Sequence, residues 1–371
     1  MPTRLLCLLT LILVAAACTW TGSDSSSQAY DAIVQQDGVD TRGTTPVYES
    51  VTDALAAAPA DATAPHRILI RAGDYYEKLT ITQPHIHLIG EGAERTRIYY
   101  DAYAGQEMAP GETWGTRRSG TVIVQAADVQ FHRLTIENSF DFVGNDALDR
   151  DDPAKLHGTQ AVALHLDSGS DRILAREVTL LGYQDTLFPN VGRSWFDRSV
   201  IAGNVDFIFG AGNALFTDSE IRTRIRGREH GTHGYVAAPS TDISRPFGFT
   251  FIDTQLTREP GVPDNSTALG RPWHPTTTFP DGRYADPYAV GKAIFIRTEM
   301  DAHITHEGWA PMGGTARDGG RKQFMPDEDA RFFEYQSRGP GASTEHRLRR
   351  QLSDDVVKDF AVRNILGDWR P

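Results

Sequence analysis

The sequence predicts an all-β protein built as a β-solenoid, in which short coils stack on one another. Pairs of apolar residues five positions apart recur, and they repeat every 21 or 22 residues between Val178, Val200 and Ile221. A coil of this length cannot bury an apolar face alone, so neighbouring coils must share one core. The segments are rich in Ile, Val, Phe, Leu and Thr and lack helical periodicity, which favours strands. The pairs are Val129 with Leu134, Ile173 with Val178, Trp195 with Val200, Phe216 with Ile221, and Phe251 with Leu256.

The N-terminus has the layout of an export signal. One charge, Arg4, precedes the apolar run Leu5–Ala17, which is too short to span a bilayer. Small residues directly before Cys18 resemble a bacterial lipobox, so we predict a signal peptide over residues 1–17 and lipidation of Cys18. The alternative is an ordinary signal cleaved nearby. The Ser-rich residues 18–29 then form a flexible tether to a single domain over residues 30–371.

This reading predicts an exported, lipid-anchored protein, with a periplasmic or secreted protein as the alternative. Loss of residues 1–17 would remove Cys7 and leave Cys18 as the one cysteine, so the domain must be held by its core rather than by an internal disulfide. More than 300 residues suffice for such a core. The net charge of −12 disfavours nucleic acid as a partner, and we expect a monomer.

Helices are predicted near both ends of the solenoid. Ser50 resembles an N-terminal cap within residues 45–60, a stripe of apolar residues follows it, and Pro59 ends the helix. We expect this helix to cap the exposed solenoid end ahead of a first strand at Arg67–Arg71. A second helix at Ser353–Leu366 should pack back on the solenoid. Further strands are predicted at His85–Ile89 and Val122–Val124.

Three longer segments interrupt the repeat, and we expect them to wall a cleft. They are Asp101–Gly120, Phe140–Gly158 and Pro275–Gly291. The second contains an acidic cluster that suggests calcium, but Arg150 lies within it and no ligand-loop pattern is present, so a solvated loop is preferred. The cluster consists of Asp146, Asp149, Asp151 and Asp152. His85 and His87 could share a metal on one strand face, but with no third ligand in view structural histidines are preferred.

Asp185 and Asp206 are the strongest candidates for chemistry. Each lies in a mostly apolar or neutral stretch, where an ionised carboxylate is costly unless it is compensated. They follow Val178 and Val200 by seven and six residues, so they should occupy nearly equivalent positions on adjacent coils, about 4.8 Å apart. Taken alone, structural turn aspartates explain them as well as catalysis does. The sequence has no G-x-S-x-G, H-E-x-x-H or phosphate-binding motif that would supply another catalytic group.

Five motifs give the chain a resemblance to the pectin methylesterases. They are Gly73-Asp74-Tyr75-Tyr76-Glu77, Gln160–Leu164, Gly182–Leu187, Asp206–Gly210 and Leu269–Trp273, in the order and approximate spacing of that family. The resemblance covers residues 45–367, and Gly234–Ser240 is similar to the bacterial branch. With the lipobox, the chain most resembles the outer-membrane lipoprotein members. The resemblance implies a right-handed parallel β-helix.

The resemblance also implies a catalytic set. Asp206 matches the family's nucleophile, and Asp185 matches its acid/base. Gln160 and Gln184 match the glutamines that stabilise the oxyanion, and Arg271 matches the arginine that holds the nucleophile in its anionic form. Asp185, near a second carboxylate, is expected to have a raised pKa and to protonate the leaving methanol. No cofactor and no metal are expected.

Further residues match substrate-contacting positions of the family, although aromatic members could simply pack the solenoid wall. Arg226 could pair with a free galacturonate carboxylate, or it could belong to a solvated row with Arg222 and Arg224. The matching residues are Thr116, Phe188, Phe209, Arg226, Ala238, Trp273, Thr276 and Met312. The implied partners are pectin or methylated oligogalacturonides, together with a membrane reached through the lipid anchor.

Three alternatives stay open. A polygalacturonase-like hydrolase would need carboxylates about 6.5–9.5 Å apart and would leave the two glutamines without a role. A pectate-lyase-like enzyme would need a calcium cluster. A non-catalytic polysaccharide-binding lipoprotein, or a paralogue that acts on another ester or thioester, could keep the same scaffold.

Overall fold

The computed structural model describes residues 30–36 and 44–371, which wind into a parallel β-helix. Three parallel sheets run along it: sheet A with 11 strands, sheet B with 8 and sheet C with 7. Successive coils pair in register, so that Ser194 in sheet A lies between Ile173 of the preceding coil and Ala214 of the next. This confirms the predicted fold class. The predicted signal peptide, the tether and Cys18 lie outside the described residues.

The strands of the three sheets follow one another along the chain. Sheet A consists of Ala32–Val34, Val47–Tyr48, His66–Ile70, Ile86–Gly90, Gln130–His132, Ile173–Arg176, Arg193–Asp197, Asn213–Thr217, Phe249–Ile252, Lys292–Ile296 and Arg331–Tyr335. Sheet B consists of Gly73–Tyr76, Thr96–Tyr100, Thr135–Asn138, Thr179–Leu181, Val200–Gly203, Glu220–Thr223, Gln255–Arg258 and Glu299–Met300. Sheet C consists of Leu79–Ile81, Val122–Val124, Leu164–Leu166, Leu187–Pro189, Val205–Gly210, Gly234–Pro239 and Thr267–Gly270.

Stacked phenylalanines fill the interior behind sheet A. Phe196, Phe216, Phe251 and Phe295 follow one another in register, with ring centroids 4.9, 4.5 and 4.3 Å apart. All four are fully buried, and each such side chain contributes about 1.5–3 kcal/mol by leaving water. Parallel in-register pairing places the same position of each coil in one row, so a single row of large rings forms a continuous core.

The predicted register is wrong by one residue around Val178. Leu180 pairs with Ile201, which pairs with Ile221, so each step is one residue shorter than predicted. Val178 is buried just before its strand, and its N–H donates to Ser199 Oγ at 3.1 Å. Trp195 also departs from the prediction, because it lies outside the solenoid against the C-terminal segment while Phe196 fills the core. Because the C-terminal segment covers the outer face of sheet A, both faces carry apolar residues, and the sequence does not show which of two adjacent apolar residues faces the core.

The N-terminal end of the solenoid is closed by the helix Val51–Ala56. Ser50 Oγ accepts from the Asp53 N–H at 3.0 Å, as its sequence predicts, and Leu55 lies in the core. The helix is shorter than residues 45–60. The prediction that Arg67–Arg71 is the first strand is wrong, because Ala32–Val34 and Val47–Tyr48 extend sheet A beyond His66–Ile70.

The C-terminal segment covers the outer face of sheet A, as predicted, but not as one helix. A 3-10 helix at Val356–Phe360 and an α-helix at Val362–Leu366 are separated by Ala361, whose backbone is extended (φ −61°, ψ 138°). Phe360, Ile365, Leu366 and Trp369 are buried there against residues such as Leu215 and Ile294. Among the described residues, none of the helices has the length and apolarity needed to cross a membrane.

The three long segments carry their own short elements. The first holds the strands Glu107–Ala109 and Glu112–Thr113 and the helix Gly115–Arg118; the second holds the helix Phe142–Ala147; the third holds the hairpin Thr276–Phe279 and Gly282–Ala285. A further hairpin, Met312–Thr315 with Arg321–Phe324, was not predicted.

Candidate active site

Asp185 and Asp206 occupy the same position in consecutive coils, where the chain passes from sheet B to sheet C: Asp185 precedes the strand Leu187–Pro189, and Asp206 is the second residue of the strand Val205–Gly210. Leu187 pairs with Ile208, and the Asp185 N–H donates to the carbonyl of Val205 at 3.1 Å. Both aspartates have left-handed backbone, with φ of 67° and 49°. Few residues other than glycine adopt this region, and aspartate is among those that tolerate it best. The coil period therefore brings the two carboxyl groups together, as the sequence predicts.

Arg271 holds the Asp206 carboxylate with two parallel hydrogen bonds. Its Nε donates to Oδ1 at 2.8 Å and its Nη2 to Oδ2 at 2.5 Å. The guanidinium lies 3.8 Å from the ring centroid of Tyr235, so an aromatic face supports it from one side. Burial opposes the charge of Arg271, but its hydrogen bonds to Asp206 and the charge of that carboxylate raise its pKa overall. The result is a bidentate ion pair in a fixed geometry.

Asp185 has the opposite environment. It is only 7% exposed and makes no ion pair within the part of the chain that the structure describes. Burial raises the pKa of Asp185 well above its usual range, and the neighbouring charge of Asp206 raises it further, while Arg271 opposes both effects. The direction agrees with the prediction, although burial rather than the second carboxylate is the main cause. Burial therefore favours the protonated form of Asp185, while Arg271 binds the carboxylate of Asp206.

Gln160 and Gln184 line the same cleft as the two aspartates, and each amide carries neutral N–H donors. Thr159 Oγ1 donates to Gln184 Oε1 at 2.8 Å, so the carbonyl end of this amide is occupied. The main-chain carbonyl of Gln160 accepts from the Ala104 N–H at 2.8 Å, which fixes this residue to the first long segment. Two amides beside a carboxylate and a carboxylic acid could stabilise an oxyanion that forms between them.

These residues lie in a cleft of about 1560 Å³ whose floor is the outward-facing row of sheet C. His165, Phe188, Phe209 and Ala238 succeed one another in this row, and the rings of Phe188 and Phe209 stack at 4.1 Å. Trp273 lies over Phe209 at 5.7 Å. The cleft is lined by Asp185, Asp206, Gln160, Gln184, Arg271, Thr116, Phe188, Phe209, Ala238, Trp273, Thr276 and Met312, which are all of the predicted site residues in the described chain except Arg226.

Two of the three long segments wall this cleft, as predicted. The first contributes Thr116, and the third contributes Thr276 and its neighbours. The second segment instead lines an adjoining pocket of about 330 Å³, which shares Gln184 with the cleft. The cleft has further walls that were not predicted, at residues 190–193 and 240–247.

The guanidinium of Arg226 is held by hydrogen bonds to other residues of the protein. Its guanidinium donates to both carboxylate oxygens of Asp146 at 2.9 Å and to the carbonyl of His233 at 3.1 Å, and it lines the adjoining pocket. It is not part of a solvated row, since Arg222 and Arg224 pair with Glu220 and Glu259. Contact between Arg226 and substrate stays a prediction.

The prediction that the acidic cluster is a solvated loop is wrong for Asp146. This residue is 7% exposed, and besides Arg226 it accepts from the Gly227 N–H at 3.0 Å and lies 3.0 Å from His230 Nε2. These hydrogen bonds and charges hold the pKa of Asp146 well below its usual range, although burial opposes them. Asp149 and Asp151 are exposed, as expected.

Within residues 30–36 and 44–371, no group of three potential ligands could hold a metal ion. His85 lies 3.9 Å from Asp128, and the ring of His87 lies 6.2 Å from that of His132. Burial, together with nearby positive charge, lowers the pKa of His87 and of His132 to about 4. Both histidines lie on the outer face of sheet A, and both are therefore uncharged at neutral pH.

Three residues of the site were not singled out from the sequence. Thr159 precedes Gln160, Arg117 follows Thr116, and Tyr235 lies in the motif Gly234–Ser240. Arg117 lines the cleft with its guanidinium 5.5 Å from the ring of Phe188. Their positions beside predicted residues could have marked them as candidates for the site. Whether the side chain of a given residue faces the site depends on the coil register, which the sequence did not fix to the residue.

Comparison with known proteins finds similarity to pectinesterases over nearly all of the described residues. The model of the family described as Pectinesterase matches residues 31–368. Pectinesterase A from Dickeya dadantii (strain 3937) is 42% identical over 349 residues, 93% of each chain. A solved pectin methylesterase in complex with hexasaccharide VII is 43% identical, with a TM-score of 0.87 over 92% of this chain and 98% of that one. The structure of pectin methylesterase from Yersinia enterocolitica is 45% identical, with a TM-score of 0.83 over 87% and 100% of the two chains.

Proposed function

Since the chain belongs to the pectinesterase family, we propose that it hydrolyses galacturonate methyl esters in pectin through an acyl-enzyme intermediate on Asp206. The reaction releases methanol and leaves a free carboxylate. One observation carries the mechanism: of two aspartates at equivalent positions of consecutive coils, Asp206 is bound by Arg271, while burial raises the pKa of Asp185. Such a pair supplies a nucleophile and an acid at one pH.

In the first step, an Asp206 carboxylate oxygen attacks the ester carbonyl carbon. The carbonyl oxygen gains the negative charge, and the side-chain N–H groups of Gln160 and Gln184 stabilise it. When the C–O bond to the methoxy group breaks, Asp185 gives its proton to the departing oxygen and methanol leaves. The products of this step are a mixed anhydride on Asp206 and an ionised Asp185.

In the second step, the ionised Asp185 takes a proton from a water molecule, whose oxygen attacks the anhydride at the carbonyl carbon that belonged to the substrate. The bond from that carbon to Asp206 breaks, and Asp206 leaves as a carboxylate that Arg271 again binds. The product is a galacturonate carboxyl group, and Asp185 has recovered its proton. No cofactor takes part in either step.

The cleft suits a chain of sugar rings. Trp273 is the partly buried aromatic side chain on its floor, packed against the buried rings of Phe188 and Phe209, and an aromatic face of this kind packs against the apolar faces of sugars. A relative 43% identical to this chain was solved with a hexasaccharide, which supports an oligomeric or polymeric ligand here. The substrate is pectin or methylated oligogalacturonides.

Product analysis tests this function against its alternatives. The full chain is incubated with highly methylated pectin, with methylated oligogalacturonides and with unesterified polygalacturonate, and methanol and reducing ends are measured. We expect methanol from both methylated substrates, unaffected by a chelator, and no new reducing ends. Reducing ends from the unesterified polymer, or activity that a chelator abolishes, would contradict the assignment.

We also propose that the chain is an exported lipoprotein of the outer membrane, anchored at Cys18. The support is the sequence alone: Val14-Ala15-Ala16-Ala17-Cys18 follows a short apolar run. Labelling of expressing bacteria with radioactive palmitate tests this, with Cys18→Ser as the matched variant. Label in the membrane fraction of the wild type alone is expected, and an unlabelled wild type would contradict the anchor.

A further inference from the structure

The hydroxyl group of Thr159 is hydrogen-bonded to the side-chain amide of Gln184. A glutamine amide has one end that accepts hydrogen bonds and one that donates them, and a rotation of half a turn exchanges the two. Thr159 Oγ1 donates to Gln184 Oε1 at 2.8 Å. The carbonyl end is therefore occupied, and the NH₂ end is the one left for the cleft that Gln184 lines.

The backbone holds Thr159 firmly in place. The carbonyl groups of its two neighbours, Gly158 and Gln160, accept from the N–H groups of Gly105 and Ala104, both at 2.8 Å. Gly158 has a φ of 68°, and a Cβ there would lie 2.9 Å from the Cα of Gly105, so the two segments cross in close contact. In the next coil, the Gln184 carbonyl accepts from the Ala161 N–H at 3.2 Å. Both partners of the Thr159–Gln184 hydrogen bond are thus fixed by main-chain contacts.

The direction of this amide matters for an ester hydrolase. With its N–H groups towards the cleft, Gln184 stabilises the oxyanion of the tetrahedral intermediate; with its carbonyl there, it would repel that oxyanion. We propose that Thr159 is a positioning residue that keeps the Gln184 amide in its donating orientation. This inference rests on the proposed function, because it presupposes that Gln184 faces the reacting ester.

The experiment is a double-mutant cycle on methylated pectin. Its members are the full-length wild type, Thr159→Val, Gln184→Ala and the double variant, with Thr159→Ser as the matched control that keeps the hydroxyl. We expect Thr159→Val to lower kcat about fivefold with little change in KM, because the loss of one neutral hydrogen bond typically changes an equilibrium or a rate by about this factor. Gln184→Ala should lower kcat about 100-fold, and adding Thr159→Val to it should cause no further loss.

The outcomes separate this inference from the proposed function. Retention of kcat by Thr159→Ser, and a loss in Thr159→Val that vanishes in the Gln184→Ala background, support a positioning role. An equal loss in both backgrounds, or wild-type kcat in Thr159→Val, would overturn it while leaving the ester hydrolysis untouched. Wild-type kcat in Gln184→Ala would instead overturn the oxyanion role of Gln184, and this inference with it. Thermal unfolding of each variant checks that the fold is kept.

Discussion

Asp185 and Asp206 are one coil apart and share the same left-handed backbone conformation and the same 7% exposure, yet only Asp206 is bound by an arginine, while burial raises the pKa of Asp185. The difference comes from Arg271, which reaches Asp206 from 65 residues further along the chain and leaves Asp185 without an ion pair in the described chain. A repetitive scaffold thus presents the same residue twice, and one long-range contact gives the two copies different chemistry. Ester hydrolysis by a nucleophile and an acid requires such a difference.

The raised pKa of the buried Asp185 should make stability depend on pH. Below about pH 4, the ordinary pKa of aspartate, the folded and unfolded states both hold the proton. Above this pH, Asp185 loses its proton in the unfolded state before it does so in the folded state, because the folded state has the raised pKa. The free energy of unfolding therefore falls as the pH rises, until the pH passes the folded pKa of Asp185. We therefore expect Asp185→Asn to be more stable than the wild type at pH 7, by a margin that shrinks towards pH 4. Urea unfolding over this range measures it.

Asp218→Asn is the matched control for that experiment. Asp218 has a similar φ of 49° but lies exposed at a turn of the same solenoid, so its replacement should give no such trend. A stability difference for Asp185→Asn that is constant from pH 4 to pH 7 would contradict a raised pKa.

Removal of Arg271 should cost both stability and activity. Asp206 would be left as a buried carboxylate without a counter-charge, which typically costs about 3–5 kcal/mol of unfolding free energy. Arg271→Lys keeps the charge but not the two parallel hydrogen bonds, so we expect an intermediate loss. Chemical denaturation and the rate of methanol release measure the two effects.

The pair Arg297 and Asp253 has the same two-bond geometry but is 42% and 44% exposed. Arg297→Ala should therefore cost less than about 1 kcal/mol and leave the rate unchanged. If Arg271→Ala proved as mild as Arg297→Ala, the pair at the active site could not be the fixed charge that we describe.

Gly203 allows the two catalytic turns to stack closely. A Cβ at this position would lie 2.3 Å from the Cβ of Phe207 and 2.7 Å from the carbonyl oxygen of Tyr183, two residues before Asp185. Gly203→Ala should shift that turn, lower stability by about 1–3 kcal/mol and reduce activity. Gly231→Ala is the matched control, because nothing lies within 4 Å of a Cβ there, and differential scanning calorimetry compares the two. Equal melting temperatures would show that the turns tolerate separation.

Trp273 should act on substrate affinity more than on folding. It is partly buried on the cleft floor, 6.3 Å from Phe188, whereas Phe188 itself is 2% exposed and belongs to the packed wall. We expect Trp273→Ala to raise KM about tenfold, as the loss of one aromatic contact with a sugar would. Trp195→Ala, on the outer face of sheet A under the C-terminal segment and outside the lining of the cleft, should leave KM unchanged. An unchanged KM in Trp273→Ala as well would remove Trp273 from the substrate contacts.

Features that depend on the coil repeat or on a local motif could be predicted from the sequence. The coil period placed Asp185 beside Asp206, and the cap at Ser50 marked a helix that the structure contains. A contact between distant segments could be predicted only where the family resemblance supplied it, as for Arg271 and Asp206. Arg226 binds Asp146 from 80 residues away, and no local pattern indicates that this aspartate of an acidic loop is buried. The offset at Val178 has a related cause, since apolar residues on both faces of a strand permit two registers.

The central claim is that Asp206 is the nucleophile, and the most direct test is the rate of methanol release from highly methylated pectin by the full chain and by its Asp206→Asn variant. Asparagine preserves the shape of the side chain and tolerates the left-handed backbone, so thermal unfolding can establish that the variant is folded. We predict a fall in kcat of at least about 1,000-fold, as removal of a nucleophile causes in other hydrolases. A folded variant that retained a rate within tenfold of the wild type would contradict the acyl-enzyme mechanism.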